Sequence, residues 1–383
     1  MERTYNAAVD NGLYVLAYYL KKSVEEITEK DIEESIEPMS KKVAQYFKTD
    51  KYHKLTSMLF MNSVLTQKTK ETLGDKLNTF LKECAGDEMC YICGKYNCNS
   101  KNTLGRSYLL NSCAGTFYNF SNNLMGMNVC PYCTILTMYA SLNFIKCGNV
   151  AVYYNSPSDE FMSNYTYERQ HENKSDILSG AVFDKKNEKG ETYILDELLD
   201  NNILYDETYV EQYKVSNGGT DQIIEVNTVD SDNIKILNAI RKSGYYNEFK
   251  KYNLLYNLIK GNLEYVYLYK LYDFEKMELK CSREFFEIMN KEVSKLTDDV
   301  IKVVKSMTDK INETEKMNTN KIVNNLKLIN KFDDYENMLV ELCTRYDELT
   351  SESLFSREDY LLLDNYRKFK SIKNLMLVSF IVK

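Results

Sequence analysis

Tryptophan is absent from this 383-residue chain, proline occurs three times and histidine twice. So few histidines restrict the chemistry on offer. His53 falls on an amphipathic helical pattern and reads as structural, and His171 falls in a polar loop with no nucleophile to partner it. No glycine-rich loop followed by Lys-Ser or Lys-Thr is present to cradle phosphates. The chain therefore reads as a non-enzyme. No apolar run approaches the roughly 20 residues that span a bilayer, the longest being Leu375 to Val382. Met1-Glu-Arg-Thr-Tyr5 lacks the charged-then-apolar pattern of a signal peptide. A cytoplasmic protein with no membrane partner is expected.

A more local absence carries the main lead. From Met89 to Ser158 there is no Asp or Glu, while Lys95, Lys101, Arg106 and Lys146 give this stretch a charge of +4. The whole chain carries −7, so the remainder holds −11, and contact with an anion must be local rather than global. Eight of the ten cysteines lie between Cys84 and Cys147, where a reducing compartment disfavours disulfides. Four of them form two pairs, Cys90-Tyr-Ile-Cys93-Gly94 and Cys130-Pro-Tyr-Cys133. A C-x-x-C turn presents two thiolates from one tight knuckle, and two such turns complete the tetrahedron that structural zinc prefers. Thirty-six residues separate Cys93 from Cys130, so an insertion must loop out between the knuckles. Cys98 also has a plausible spacing to replace one member.

Two other chemistries fit less well. Cys130-Pro-Tyr-Cys133 matches a dithiol redox turn, but that fold needs a later proline facing the dithiol, and Pro157 is the only one that follows. A zinc deaminase needs His-x-Glu nearby and a proline before the cysteine, where Val129 stands. The acid-free stretch also holds 11 of the chain's 38 asparagines, with tyrosines interleaved among its cations. Cations hold phosphates, amides read base edges and rings stack on bases. Lys95, Asn97, Asn99, Lys101, Asn102 and Arg106 are accordingly the candidate nucleic-acid contacts.

The expected fold is α+β and mostly helical: a zinc-stapled amino-terminal module with small β elements over residues 1–230, and a carboxy-terminal helical bundle over 231–383. Leu13, Leu16, Ala17 and Leu20 recur at helical spacing, as do Leu55 to Leu65, with Pro38 and Gly74 as punctuation. Thr134–Ile145 reads as a helix, and Val150–Tyr154 as a strand entering Asn155-Ser-Pro-Ser158. Tyr209–Val215 and Gln222–Val226 flank Ser216-Asn-Gly-Gly-Thr220, which suits a hairpin turn. Residues 159–230 are otherwise mixed. No proline follows Pro157 and no glycine follows Gly261. Met289, Val293, Leu296, Val300, Val303, Met307 and Ile311 form one apolar stripe. Lys291, Lys295, Lys302, Lys305 and Lys316 lie opposite it. Ser282 and Ser356 are expected caps.

Early apolar helices, Cys90-x-x-Cys93-Gly94, an Asn-rich aromatic loop, Asn128-Val-Cys-Pro-Tyr-Cys133, a helix, and a strand ending in Asn155-Ser-Pro-Ser158 occur in that order. Over about 40% of the chain, Val9 to Ser158, this resembles the CXXC–CXXC family of CRISPR-associated proteins, the large subunit of type I-B Cascade. The resemblance implies a subunit of an RNA-guided surveillance complex. It would probe duplex DNA for the protospacer-adjacent motif, aid R-loop formation and dock the helicase–nuclease. Its implied partners are guide RNA, target DNA, the other Cascade subunits and that nuclease. Cys90, Cys93, Cys130 and Cys133 match the family's positions. The rival readings are a stand-alone zinc-containing nucleic-acid-binding regulator and a dithiol oxidoreductase.

Overall fold

The computed structural model describes residues 1–48, 71–101, 127–148, 150–179, 208–218, 221–273, 276 and 278–381. It is mostly helical with small antiparallel sheets, an α+β fold. The chain divides into two compact units, Met1–Ile234 and Lys235–Lys383. The expected helix over Leu55–Leu65 lies outside the described residues.

In the first unit, α1 spans Ala7–Leu20 and starts where the Asn6 side chain accepts from the Ala8 and Val9 amides. Helix α2 spans Glu29–Lys48 and opens on a reciprocal cap between Thr28 and Asp31. Ile32, Ile36, Met39, Val43 and Tyr46 recur at helical spacing and are buried. Pro38 lies inside this helix on its exposed side rather than at a boundary, a correction to the expected punctuation. Helix α3, Leu73–Glu83, is boxed by Thr72 and Asp75, with Gly74 in its first turn.

A two-stranded ladder, β1 (Glu88–Met89) and β2 (Tyr96–Cys98), follows. Helix α4 is Pro131–Ala140, starting earlier and ending earlier than the expected Thr134–Ile145. A 3-10 turn, Ser141–Asn143, leads from it into β3, Ile145–Cys147. Strand β4, Val150–Asn155, pairs with β3 and with β5, Val210–Gly218, which pairs with β6, Asp221–Val229. Gly218 faces Asp221, so β5 and β6 form the expected hairpin.

Helices α1 and α4 make the centre of this unit. Gly12 permits their approach: a Cβ there would sit 1.8 Å from the Leu136 carbonyl oxygen. Val9, Leu13, Leu16, Ile135, Leu136 and Tyr139 are fully buried around that contact. One face of the sheet adds a stack of Phe144, Tyr153 and Tyr213, with ring centroids 4.4 and 4.9 Å apart.

The helix α5, Asp159–Ser179, packs where the sequence reads as mixed. Its buried face starts with Phe161, Met162 and Tyr165 and continues with the polar Thr166, Arg169, Gln170 and Asn173. Asn143 donates to Thr166 Oγ1 at 2.9 Å and to Asn11 Oδ1 at 3.0 Å. Gln170 donates to the Leu142 carbonyl at 3.1 Å, and Arg169 to the Phe144 carbonyl at 3.0 Å. Buried polar groups persist when they are hydrogen-bonded, so the second half of this helix is seated by polar pairing. His171 stands on α5, 6.5 Å from the Tyr167 ring, not in a loop.

Helix α6, Ser231–Lys242, contains the division between the units. The second unit continues through short helices α7 (Tyr246–Lys251), α8 (Leu254–Ile259) and α9 (Leu263–Leu271) and a small ladder of β7 (Tyr272–Asp273) with β8 (Glu278–Leu279). Then come α10 (Arg283–Ser294), α11 (Asp298–Glu313), α12 (Thr319–Leu328), α13 (Phe332–Thr350), α14 (Arg357–Leu363) and α15 (Phe369–Ile381). The Ser282 and Ser356 caps form as expected. The single stripe from Met289 to Ile311 does not: it is split between α10 and α11. Lys295 turns left-handed at φ 51° to end α10, and Thr297 caps α11. Val304 takes the fully buried position, and Val303 packs at the margin. The five lysines placed opposite the stripe therefore share no single helix face, and Lys291 pairs with Asp298 at 2.9 Å. Of the basic residues near the carboxy terminus, Lys368 and Lys373 donate to the Ser294 and Ile329 carbonyls of this same unit.

Candidate metal centre

The two cysteine pairs converge. The Sγ atoms of Cys90, Cys93, Cys130 and Cys133 all lie within 4.8 Å of one another. Cys90 and Cys133 are 4.0 Å apart, and Cys93 and Cys130 are 3.8 Å apart. These are not disulfides, since every described cysteine is free. Four thiolates at a metal–sulfur distance of about 2.3 Å would have tetrahedral edges of about 3.8 Å. The observed spacing fits a metal ion at the centre with little movement.

Each half is built differently. In the first, the Cys90 amide donates to the Lys95 carbonyl and the Gly94 amide to the Cys90 carbonyl, both at 2.8 Å. Closing that turn requires Gly94 at φ +72°, in the left-handed region, where no neighbour crowds a Cβ position. In the second, Cys130 is the N-cap of α4, with Pro131 at the first helical position, where its missing N–H costs nothing. Its sulfur accepts from the Cys133 amide at 3.4 Å, and Cys90 Sγ accepts from the Cys130 amide at 3.2 Å. The partial positive charge at this helix start favours thiolate. A hydrogen bond from the Tyr91 amide to the Asn128 carbonyl, 3.0 Å, ties the halves together.

Three of the sulfurs belong to fully buried residues, and Cys93 is partly exposed. Contacts from the Cys130 and Cys133 thiols hold Cys90 far below the usual thiol range and Cys93 at about 7. Contacts with Cys130, Cys90 and Cys93, with burial added, push Cys133 well above it. Hydrogen bonding among the four thiols thus pulls their acidities apart. A divalent cation would favour the thiolate form of all four. Cys98 is not part of the group: its sulfur donates to the Glu88 carbonyl at 3.2 Å, and burial raises its pKa to about 11.

The candidate nucleic-acid residues divide. Lys95 is exposed and pairs with Glu29 of α2 at 3.2 Å. Asn99 donates to the Glu83 and Ala85 carbonyls at 2.7 and 2.8 Å and accepts from the Lys101 amide. Its amide holds the loop together instead of facing outward. Asn97 is half-buried, and Lys101 is exposed. Asn102 and Arg106 lie outside the described residues. Carboxylates absent from this stretch arrive from elsewhere: Glu33 accepts from Tyr132 at 2.8 Å, and Glu88 accepts from Asn128. Exposed aromatic surface does remain beside the first knuckle, with Tyr91 56% and Tyr96 74% accessible. Among the described residues, no helix is long and apolar enough to cross a membrane.

Comparison of the chain with protein-family models and with curated proteins finds no match to either.

Proposed function

We propose that this protein is a zinc-stapled, non-enzymatic nucleic-acid-binding subunit, the DNA-probing large subunit of a type I-B Cascade complex. The observation that carries the zinc is the convergence of Cys90, Cys93, Cys130 and Cys133 within 4.8 Å, from turns far apart in the chain. Four sulfur donors in a closed, mostly buried set suit a structural zinc, which leaves no open position for chemistry. When bound, the ion would neutralise the thiolates and lock the first knuckle to α4. The protein's own part is to present the ligands: the Gly94 turn, the Cys130 cap and the amide donors to sulfur orient them.

The step from zinc to nucleic acid rests on the knuckle surface, where Tyr91, Tyr96 and Lys101 stand exposed. Rings and a cation there suit bases and phosphates. The step to Cascade rests on the resemblance of residues 9–158. In that reading the guide reads sequence by pairing, and this chain makes short-motif and backbone contacts. Use of Cys130 and Cys133 as a redox dithiol is disfavoured, because Cys130 and Cys133 are fully buried and Cys130 Sγ lies against Cys93 Sγ.

Native purification with zinc and bound RNA measured in one sample tests this. About one zinc per chain, a uniform short RNA and repeated partner subunits are expected. Zinc without RNA or partners would make it a solitary nucleic-acid binder. A metal-free protein with a titratable dithiol would overturn the reading.

A further inference from the structure

A second feature of the first unit lies away from the cysteines. A cleft of about 400 Å³ runs between the end of α1, residues 21–25, and the start of α5. Tyr14, Tyr18 and Tyr167 line it. Several of its groups already have partners. The Tyr14 hydroxyl donates to Asp159, Arg3 lies 5.5 Å above the Tyr14 ring, and Lys174 lies 5.6 Å above Tyr18. Lys22 pairs with Asp31 at 2.6 Å.

Three lining groups have no side-chain hydrogen bond or ion pair to the described residues. Tyr167 is 54% exposed, with its ring edge-on to Tyr18 at 6.2 Å and stacked with His171 at 6.5 Å. Asn164 makes no side-chain hydrogen bond to the described residues, and Lys21 no ion pair. Lys21 is exposed and held in place by the left-handed turn that ends α1, φ 54°. A half-exposed ring, an amide with donor and acceptor, and a cation are the three elements that recognise base plane, base edge and phosphate. Glu25 and Asp159 are the lining carboxylates that would oppose an anion, Asp159 being paired with Tyr14 and Arg3, so stacking must supply most of the affinity.

We infer that this cleft holds one unpaired nucleotide of a single-stranded nucleic acid. The base stacks on Tyr167, the Asn164 amide meets its edge, and Lys21 meets its phosphate. This rests on the nucleic-acid reading above and adds a contact outside the knuckles.

The test uses the full chain and a single-stranded DNA dodecamer carrying 5-iododeoxyuridine. Photocrosslinked peptides are mapped, and affinity is read by fluorescence anisotropy. The crosslink is expected on the peptide containing Tyr167. Tyr167→Ala should weaken binding about 5- to 150-fold, the range for one base–aromatic stack, and Tyr167→Phe should retain it. Lys21→Ala should reduce the salt slope by about 0.7, one single-strand phosphate. Melting and metal content should not move in any of the three variants. Crosslinks confined to residues 88–101, with Tyr167→Ala binding normally, would overturn the cleft and leave the nucleic-acid reading intact. A wild-type chain that neither crosslinks nor binds the dodecamer would overturn both.

Discussion

Two glycines in the first unit should respond to the same substitution for different reasons, and the difference is measurable. Gly12 lies where α1 crosses α4, and an added Cβ would fall 1.8 Å from the Leu136 carbonyl oxygen and 2.5 Å from its carbon. Both are backbone atoms, so no side chain can rotate away. Relief requires the helices to part along an interface that buries Val9, Leu13, Leu16 and Tyr139. Overpacking of this kind costs about 3 kcal/mol or more. Gly94, by contrast, has no neighbour within 4 Å of its Cβ position, and only its φ of +72° is unfavourable to alanine. That strain costs about 1 kcal/mol. In a unit of this size, 1 kcal/mol corresponds to about 2–4 °C in Tm, so Gly12→Ala should lose about 6–12 °C and Gly94→Ala about 2–4 °C. Calorimetry of the metal-loaded protein reads both, and a chelator competition reads ligand retention. Because α4 carries Cys130 and Cys133, Gly12→Ala should also loosen the metal. Equal melting of the two variants, or a stable Gly12→Ala, would refute the close approach.

Three other outcomes follow from the same geometry. Cys130→Ser with Cys133→Ser should release the metal and lower Tm, measured by metal analysis and calorimetry; unchanged values would remove the site. In metal-free protein, Cys93 is depressed from 9.0 to about 7. Its contribution to stability should therefore be complete above about pH 9 and disappear as pH falls through 7, as checked by urea midpoints across that window. A flat profile would mean the thiol contacts do not form without metal. Thr297→Ala removes the cap whose hydroxyl accepts from the Val300 amide at 3.4 Å and should cost about 1 kcal/mol. If melting is unaltered, the break between α10 and α11 is held by something else.

How much was legible in the residues depended on whether the signal was local. Helix α1, strand β4, the β5–β6 hairpin and the Ser282 and Ser356 caps all announce themselves through spacing or turn chemistry that a few neighbouring residues enforce. The α10–α11 break was also local, written in Thr297-Asp298-Asp299, yet an unbroken apolar stripe over it hid the cap. Pro38 misled because its missing amide and ring are tolerated on the exposed side of α2. Helix α5 was hard to read for a physical reason: its buried face is apolar only over Phe161, Met162 and Tyr165 and then turns polar, so the apolar period stops after its first half. The facing groups, the Asn143 amide and the Leu142 and Phe144 carbonyls, make the polar part of that face buriable.

The sequence by itself determined the donor set, because two C-x-x-C turns present thiolates whatever surrounds them. Tertiary structure decided which four sulfurs meet, drawing Cys98 aside to the Glu88 carbonyl and bringing Cys93 to 3.8 Å from Cys130. It also decided the charge of the neighbourhood. A stretch without a single carboxylate folds against Glu29 and Glu33 of α2, since electrostatic surroundings depend on distance in space and not along the chain.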